Sequence, residues 1–275
     1  MKKIVSFGDS FVFGTELTDN LDGSKAWPAL VAKNLGTNYE TRAIVACGNE
    51  SIARQIYTYF SDYTTTNTLA IINWTWSMRW DFYLHEVDAW VTLGPTCVPG
   101  RLQQHIPESE AENLIKFYQT YTGASPNWNL HRSLQAIWGV LNYLKVNNIM
   151  AIHTYMDPAL FTKGNTGDRL EHYCAIRDPG WPNIESATDI FNLPTSIQQE
   201  VEDDYNRVKI PLYLSNLQDL IQPAMQSFDG QSFLEWSRSC GHAVTPAPAE
   251  HPLQDAHNAA ADYWQDVYNK HIQLL

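Results

Sequence analysis

The sequence is short of basic residues. Its 275 residues hold 18 Lys and Arg against 30 Asp and Glu, a formal net charge of −12, and no basic run exceeds two residues. Neutralising nucleic-acid phosphates needs clustered lysine and arginine, and adhesion to an anionic lipid surface needs the same, so neither partner is expected. Long hydrophobic runs are also missing. No stretch approaches the ~20 apolar residues of a membrane span, and the opening Met1–Ser10, despite its two lysines, lacks the apolar core of a signal peptide. The expectation is a soluble chain without an export signal, cytoplasmic by default. Cysteine is scarce: Cys47, Cys97, Cys174 and Cys240 lie far apart and form no CxxC, so free thiols in a reducing compartment are expected. Only the pairs His172-Tyr-Cys174 and Cys240-Gly-His242 have the makings of a soft metal site. Their single intervening residue is tighter than the usual zinc knuckle, so no metal and no cofactor is assigned. No linker rich in Pro, Gly or Ser separates two cores, and no repeat is present, which points to one domain over residues 1–275.

What the chain does have is apolar and aromatic mass. Hydrophobic residues make up 44%, enough for a sizeable core, and there are ten Trp and fourteen Tyr. Aromatics mostly pack; their other use is a groove that stacks on sugar rings. Short apolar runs at Lys2–Phe7, Tyr39–Val45, Thr68–Asn73 and Asn147–Thr154 read as buried strands. A weaker fifth falls at Ala224–Phe228. Between and after them, helical spacing predicts helices at Ser24–Gly36 (Ser24 as N-cap), Ser51–Phe60, Ser109–Thr122, Leu130–Lys145, Thr195–Ile221 broken near Pro211, Gln231–Cys240 and Leu253–Ile272. Residues 80–129 and 157–194 read as loop insertions. Strand–helix alternation with continuous apolar strands predicts an α/β protein, a three-layer α/β/α sandwich around a parallel sheet of about five strands. Ligands of such sheets bind beyond the carboxyl ends of the strands, which directs attention to Gly8–Ser10, Ala46–Asn49 and Asn73–Ser77.

Two of those positions carry chemistry. Gly8 lets the first strand turn without a Cβ clash, and Ser10 then points a hydroxyl into the crevice beside backbone amides able to hold an oxyanion. The G-x-S-x-G elbow is absent. A serine needs a base, and the far end of the chain offers His251, held in extended or turn backbone by Pro252, and His257 inside the helix that follows.

These blocks resemble the SGNH (GDSL-type) hydrolases, serine esterases of flavodoxin-like three-layer fold. Phe7-Gly8-Asp9-Ser10 matches the first block, Trp27-Pro28 and Leu35-Gly36 the following helix, Gly48 the second block, and His251, Pro252, Ala256, His257 and Ala261 the last. The match covers both ends of the chain and neither insertion. It implies Ser10 as nucleophile, His251 as base, and an oxyanion hole drawn from the Ser10 and Gly48 amides with a side chain from Asn73 or Thr75. Asp9 is expected to support the turn through backbone amides. Two departures stand out. The third block is usually Gly-x-Asn-Asp, whereas Ile72–Arg79 puts Thr75 at the place of its Asn. The family's acid lies three residues before the histidine, where this chain has Pro248; Glu250, Asp255 or Asp229 is the possible supporting acid, or a backbone carbonyl holds the ring. The implied activity is hydrolysis of a carboxylic ester, an acyl or acetyl group on a small molecule or carbohydrate, through an acyl-enzyme. The alternative is an inactive or weakly active carbohydrate-binding module on the same fold. Oligomeric state is not legible.

Overall fold

The computed structural model describes residues 2–62, 67–94, 102, 105–118, 120, 125–161, 198, 210–246 and 250–272. Four parallel strands form the central sheet: β1 (Lys3–Phe7), β2 (Asn38–Thr41), β3 (Thr68–Trp74) and, after an intervening hairpin, β6 (Met150–Tyr155), in the order β2-β1-β3-β6. The expected fifth strand at Ala224–Phe228 does not form. It reaches the sheet edge only as a parallel bridge of Met225 to His153, with the Gln226 N–H on the His153 carbonyl at 2.7 Å. Pro223 lies in the 3-10 turn Gln222–Ala224 just before, and its fixed φ and missing N–H suit a turn better than a ladder.

Helices cover both faces. On one side α3 (Asn49–Asp62), α5 (Pro126–Val146) and α6 (Leu212–Ile221) bury Ile52, Ile56, Leu134, Ile137 and Leu214 against Val5, Phe7, Ile72 and Trp74. On the other, α1 (Ser10–Phe13), α2 (Trp27–Asn34), α7 (Phe233–Ser239) and α8 (Gln254–Ile272) bury Phe11, Trp27, Phe233, Ala260 and Trp264 against Ile4, Leu69 and Ile71. Residues of β3 alternate between these two cores, as a strand buried on both faces must. The segment 80–129, read as largely irregular, contains an antiparallel hairpin, β4 (Trp80–Leu84) with β5 (Ala89–Leu93), backed by α4 (Glu108–Phe117) through Val91, Leu93, Ala111 and Ile115. Most of the second expected insertion, and residues 195–197 and 199–209 of the expected helix before Pro211, lie outside the described residues. Among the described residues no helix is long and apolar enough to cross a membrane.

One helix start differs from expectation. Ser24 does not cap α2, which begins at Trp27 with Ala26 as N-cap and no side-chain cap of its own. The Trp27 N–H instead donates to His257 Nδ1 at 3.0 Å, from a residue 230 positions away on α8. A neutral imidazole thus does the work of a cap, and burial pushes His257 down to about 3 from its ordinary 6.5. Burial also pushes His153 down to about 4, where its ring stacks on Trp74. The unfolded chain protonates both below about pH 6.5 and the fold does not. Their stabilising contribution is therefore complete above that pH and is lost as pH falls toward these lowered values, by up to about 1.4 kcal/mol per pH unit for each histidine. Urea midpoints are expected to drop between pH 7 and pH 5. In His153→Gln and His257→Gln variants, compared with their own values at pH 7, the drop is expected to be smaller.

Candidate active site

The sheet order places β1 between β2 and β3, so the chain runs from β1 out to β2 and then back across β1 to β3, and a crevice opens at the carboxyl ends where the direction reverses. Gly8 is demanded there. Its φ is +156°, and a Cβ would lie 2.7 Å from Val12 Cγ2 and 3.1 Å from the Asn73 carbonyl oxygen. The chain then enters α1, a single turn capped by Asp9, whose Oδ1 accepts from the Phe11 N–H at 3.0 Å. Gly14, at φ +71°, ends that turn. Ser10 is the first residue of the turn, so its N–H falls outside the helix's internal bonding.

The tail of the chain meets this turn. His251 Nε2 lies 2.7 Å from Ser10 Oγ across 241 residues of sequence. The residue is held in three ways. The His251 N–H donates to Thr245 Oγ1 at 2.9 Å, the His251 carbonyl accepts from the Thr245 N–H at 2.9 Å, and the imidazole stacks on Phe11 with centroids 4.5 Å apart. Burial pushes the His251 pKa down, while the charges of Asp9 and Glu16 oppose that and Arg79 adds to it. The imidazole is therefore neutral near pH 7 and able to accept a proton through Nε2. His257, six residues on, is turned into the core as the acceptor for Trp27 and is not part of this pair.

The three acidic residues considered as supports go elsewhere. Glu250, at φ +48°, is turned away and pairs with Arg238 at 2.5 Å. Asp229 accepts from the Tyr263 hydroxyl at 3.2 Å. Asp255 is exposed in the first turn of α8. Pro248 lies outside the described residues. Among the described residues a different carboxylate approaches His251: Glu16 Oε1 stands 3.8 Å from Nδ1.

The oxyanion candidates are also largely committed. The Gly48 N–H donates to Asp81 Oδ1 at 3.0 Å, and a Cβ on Gly48 would fall 2.5 Å from Asp81 Oδ2. Asp81 also accepts from the Ser51 N–H at 2.8 Å and from the Thr92 hydroxyl. A buried carboxylate thus sits at the N-terminus of α3, where such charge is favoured. The Thr75 hydroxyl donates to Asp9 Oδ2 at 2.6 Å. The Asn73 Oδ1 accepts from the Thr154 hydroxyl at 2.7 Å, and its Nδ2 is without a partner among the described residues but closed to solvent. Of the four residues, Ser10 is the one whose N–H lies at the start of a helical turn, outside its internal bonding.

Arg79 and Asn49 complete the surroundings. Arg79 Nη1 donates to Asp9 Oδ2 at 2.8 Å, to Thr75 Oγ1 at 2.8 Å and to the Cys47 carbonyl at 3.1 Å. Asn49 reads the same loop, accepting from the Thr75 N–H at 2.8 Å and donating to its carbonyl at 3.0 Å. Arg79, Glu16 and Asp81 were not among the residues expected from the sequence. Glu16 had the most legible signal, an acid six residues after Ser10 in the same loop. The Cys240–His242 half of the conceivable metal set shows no cluster with other ligand-type residues among the described ones, and His172 and Cys174 lie outside them.

No family model matches the chain, and no curated protein matches it either. Solved structures similar to it include a G-D-S-L lipolytic protein from Veillonella parvula DSM 2008, at 10% identity over 98% of this chain and 99% of that one, with a TM-score of 0.46. The psychrotrophic esterase EstA from Pseudoalteromonas sp., inhibited by monoethylphosphonate, is 9% identical over 99% of this chain and 100% of its own, with a TM-score of 0.44. The solved structures to which this chain is similar also include the acetyl xylan esterase Est2A of Butyrivibrio proteoclasticus, at 12% identity over 100% of this chain and 65% of that one, with a TM-score of 0.39.

Proposed function

We propose that the chain is a single catalytic domain of SGNH type that hydrolyses carboxylic esters through an acyl-enzyme on Ser10. The observation that carries this reading is the 2.7 Å approach of His251 Nε2 to Ser10 Oγ. A neutral imidazole within hydrogen-bond reach of a serine at the mouth of a parallel sheet has the geometry of a base and its nucleophile. His251 accepts the hydroxyl proton on Nε2 as Ser10 Oγ bonds to the ester carbon. The carbonyl π electrons move to oxygen, and the Ser10 N–H donates to that oxyanion. Arg79, anchored on Asp9, Thr75 and the Cys47 carbonyl, supplies positive charge at the same strand ends. Collapse breaks the bond to the alcohol, which leaves with the proton from Nε2. Water repeats the sequence on the acyl-enzyme and restores Ser10. No step calls for a metal or cofactor.

A carbohydrate is the proposed alcohol. In support, Asp81 ties the β4–β5 hairpin to the Gly48 amide, and the same hairpin exposes Tyr83 and Trp90, with ring centroids 5.4 Å apart. Arg54 covers one face of Trp90 at 3.6 Å. A fluorophosphonate is expected to label the chain once, at Ser10, with mass spectrometry locating the adduct. Absence of label together with retained oligosaccharide binding would overturn the enzyme in favour of a binding module.

A further inference from the structure

The imidazole of His251 has one nitrogen accounted for and one not. Nε2 faces Ser10; Nδ1 is buried and has no hydrogen-bond partner among the described residues. A buried N–H without an acceptor is costly, and an imidazole whose Nδ1 has no acceptor is free to take the tautomer with its proton on Nε2, which cannot accept from Ser10. Glu16 Oε1 is 3.8 Å from that nitrogen, too long for a hydrogen bond but short enough for a side-chain rotation to close. Bonds of this kind are often long in a free enzyme and tighten when charge develops.

The loop carrying Glu16 is built to hold it. Gly14 N donates to the Ser10 carbonyl at 2.8 Å, and Thr15 N to the same oxygen at 3.3 Å. Buried Asn20 donates Nδ2 to the carbonyls of Phe13 at 2.6 Å and Gly14 at 2.8 Å, and accepts from the Lys25 N–H at 3.0 Å. Leu17, next to Glu16, is buried, and its N–H donates to the Gly14 carbonyl at 3.1 Å. The backbone of Glu16 is thus tied to the turn that presents the nucleophile, and its carboxylate projects toward the base.

We propose that Glu16 is the positioning acid of the Ser10–His251 pair, its carboxylate accepting the Nδ1–H of His251 and aiming the Nε2 lone pair at Ser10. This rests on the esterase reading above. In the forward step His251 gains the Ser10 proton on Nε2 and becomes an imidazolium with both N–H groups filled. The Glu16 carboxylate is attracted more strongly as that charge appears. The acid then comes from the nucleophile's own loop, six residues after Ser10, and the chain order is Ser, Glu, His.

The test is steady-state hydrolysis of p-nitrophenyl acetate by the full chain and by Glu16→Gln, Glu16→Asp, Ser10→Ala and His251→Ala, with complete pH profiles. Removing a fully buried triad acid costs about 10⁴ in kcat; for a partly exposed carboxylate the expected loss in Glu16→Gln is about 10- to 100-fold in kcat, with KM changed less than about twofold. Its melting temperature is expected to match the parent, because the side chain is partly exposed and makes no hydrogen bond within the described residues. Among the described residues, the charged groups acting on His251 are Asp9, Glu16 and Arg79, with buried His257 coupled to it more weakly from the core side. Deleting the Glu16 charge leaves the imidazolium less favoured, so the acid limb of kcat/KM is expected to move to lower pH by about half a unit. Glu16→Asp, which keeps the charge, is expected to recover part of both effects. A Glu16→Gln enzyme within twofold of the parent kcat and with an unmoved acid limb would overturn the role of Glu16 while Ser10→Ala and His251→Ala still abolish turnover. Full turnover by Ser10→Ala would overturn the esterase reading itself.

Discussion

Ser10→Ala is expected to lower kcat/KM for a p-nitrophenyl ester by about four to six orders of magnitude, to the level that amides and binding alone sustain. His251→Ala is expected to fall as far, because a serine hydroxyl without its base is a weak nucleophile. The double variant is expected to be no worse than either single one, the non-additivity of two groups that act as one unit. His257→Ala separates the second histidine of the same block. Its imidazole caps Trp27 and sits in the core, so the expected outcome is a lower melting temperature with much of kcat retained. Loss of turnover in His257→Ala alongside a fully active His251→Ala would reverse the assignment of the base.

The second large effect is on stability. Asp9 is fully buried, and its Oδ2 is met by the Arg79 guanidinium and the Thr75 hydroxyl. Arg79→Met removes the cation and leaves a buried carboxylate with one neutral donor at that oxygen. Breaking a buried pair by deleting one partner costs about 3–5 kcal/mol, which for a chain of this size corresponds to a fall of roughly 10 °C in melting temperature. Asp9→Asn added to Arg79→Met is expected to recover more than half of the loss, since it removes the uncompensated charge. Thermal melts of the two single variants and the double variant give the coupling directly. An Arg79→Met protein that melts with the parent would show that the pair contributes nothing to the fold.

How legible the molecule was depended on the kind of signal. Runs such as Thr-Leu-Ala-Ile-Ile at Thr68–Ile72 announce a strand buried on both faces, because only such a strand can bury every residue. The spacing of Leu130, Leu134, Ile137 and Leu144 announces a helix with one apolar stripe. The β4–β5 hairpin was harder. Its alternation of Trp80, Phe82 and Leu84 with Asp81 and Tyr83 is short, and its turn runs through His85–Asp88 without a Gly or Pro to punctuate it. The expected cap at Ser24 failed because a tertiary partner, His257, met the helix's orphan donor first.

Pattern and local chemistry in the sequence by themselves determined the alternating α/β class, most of the sheet, and the two distant points where a hydroxyl and an imidazole are offered. Only the folded chain decided what each polar group spends its bonds on: the Gly48 amide on Asp81, the Thr75 hydroxyl on Asp9, the Glu250 carboxylate on Arg238, and Glu16 near the free side of His251. The reason is that hydrophobic periodicity is set by neighbours a few residues apart, whereas a buried donor or acceptor takes whichever partner the packing brings within about 3 Å, however far off that partner lies in the chain.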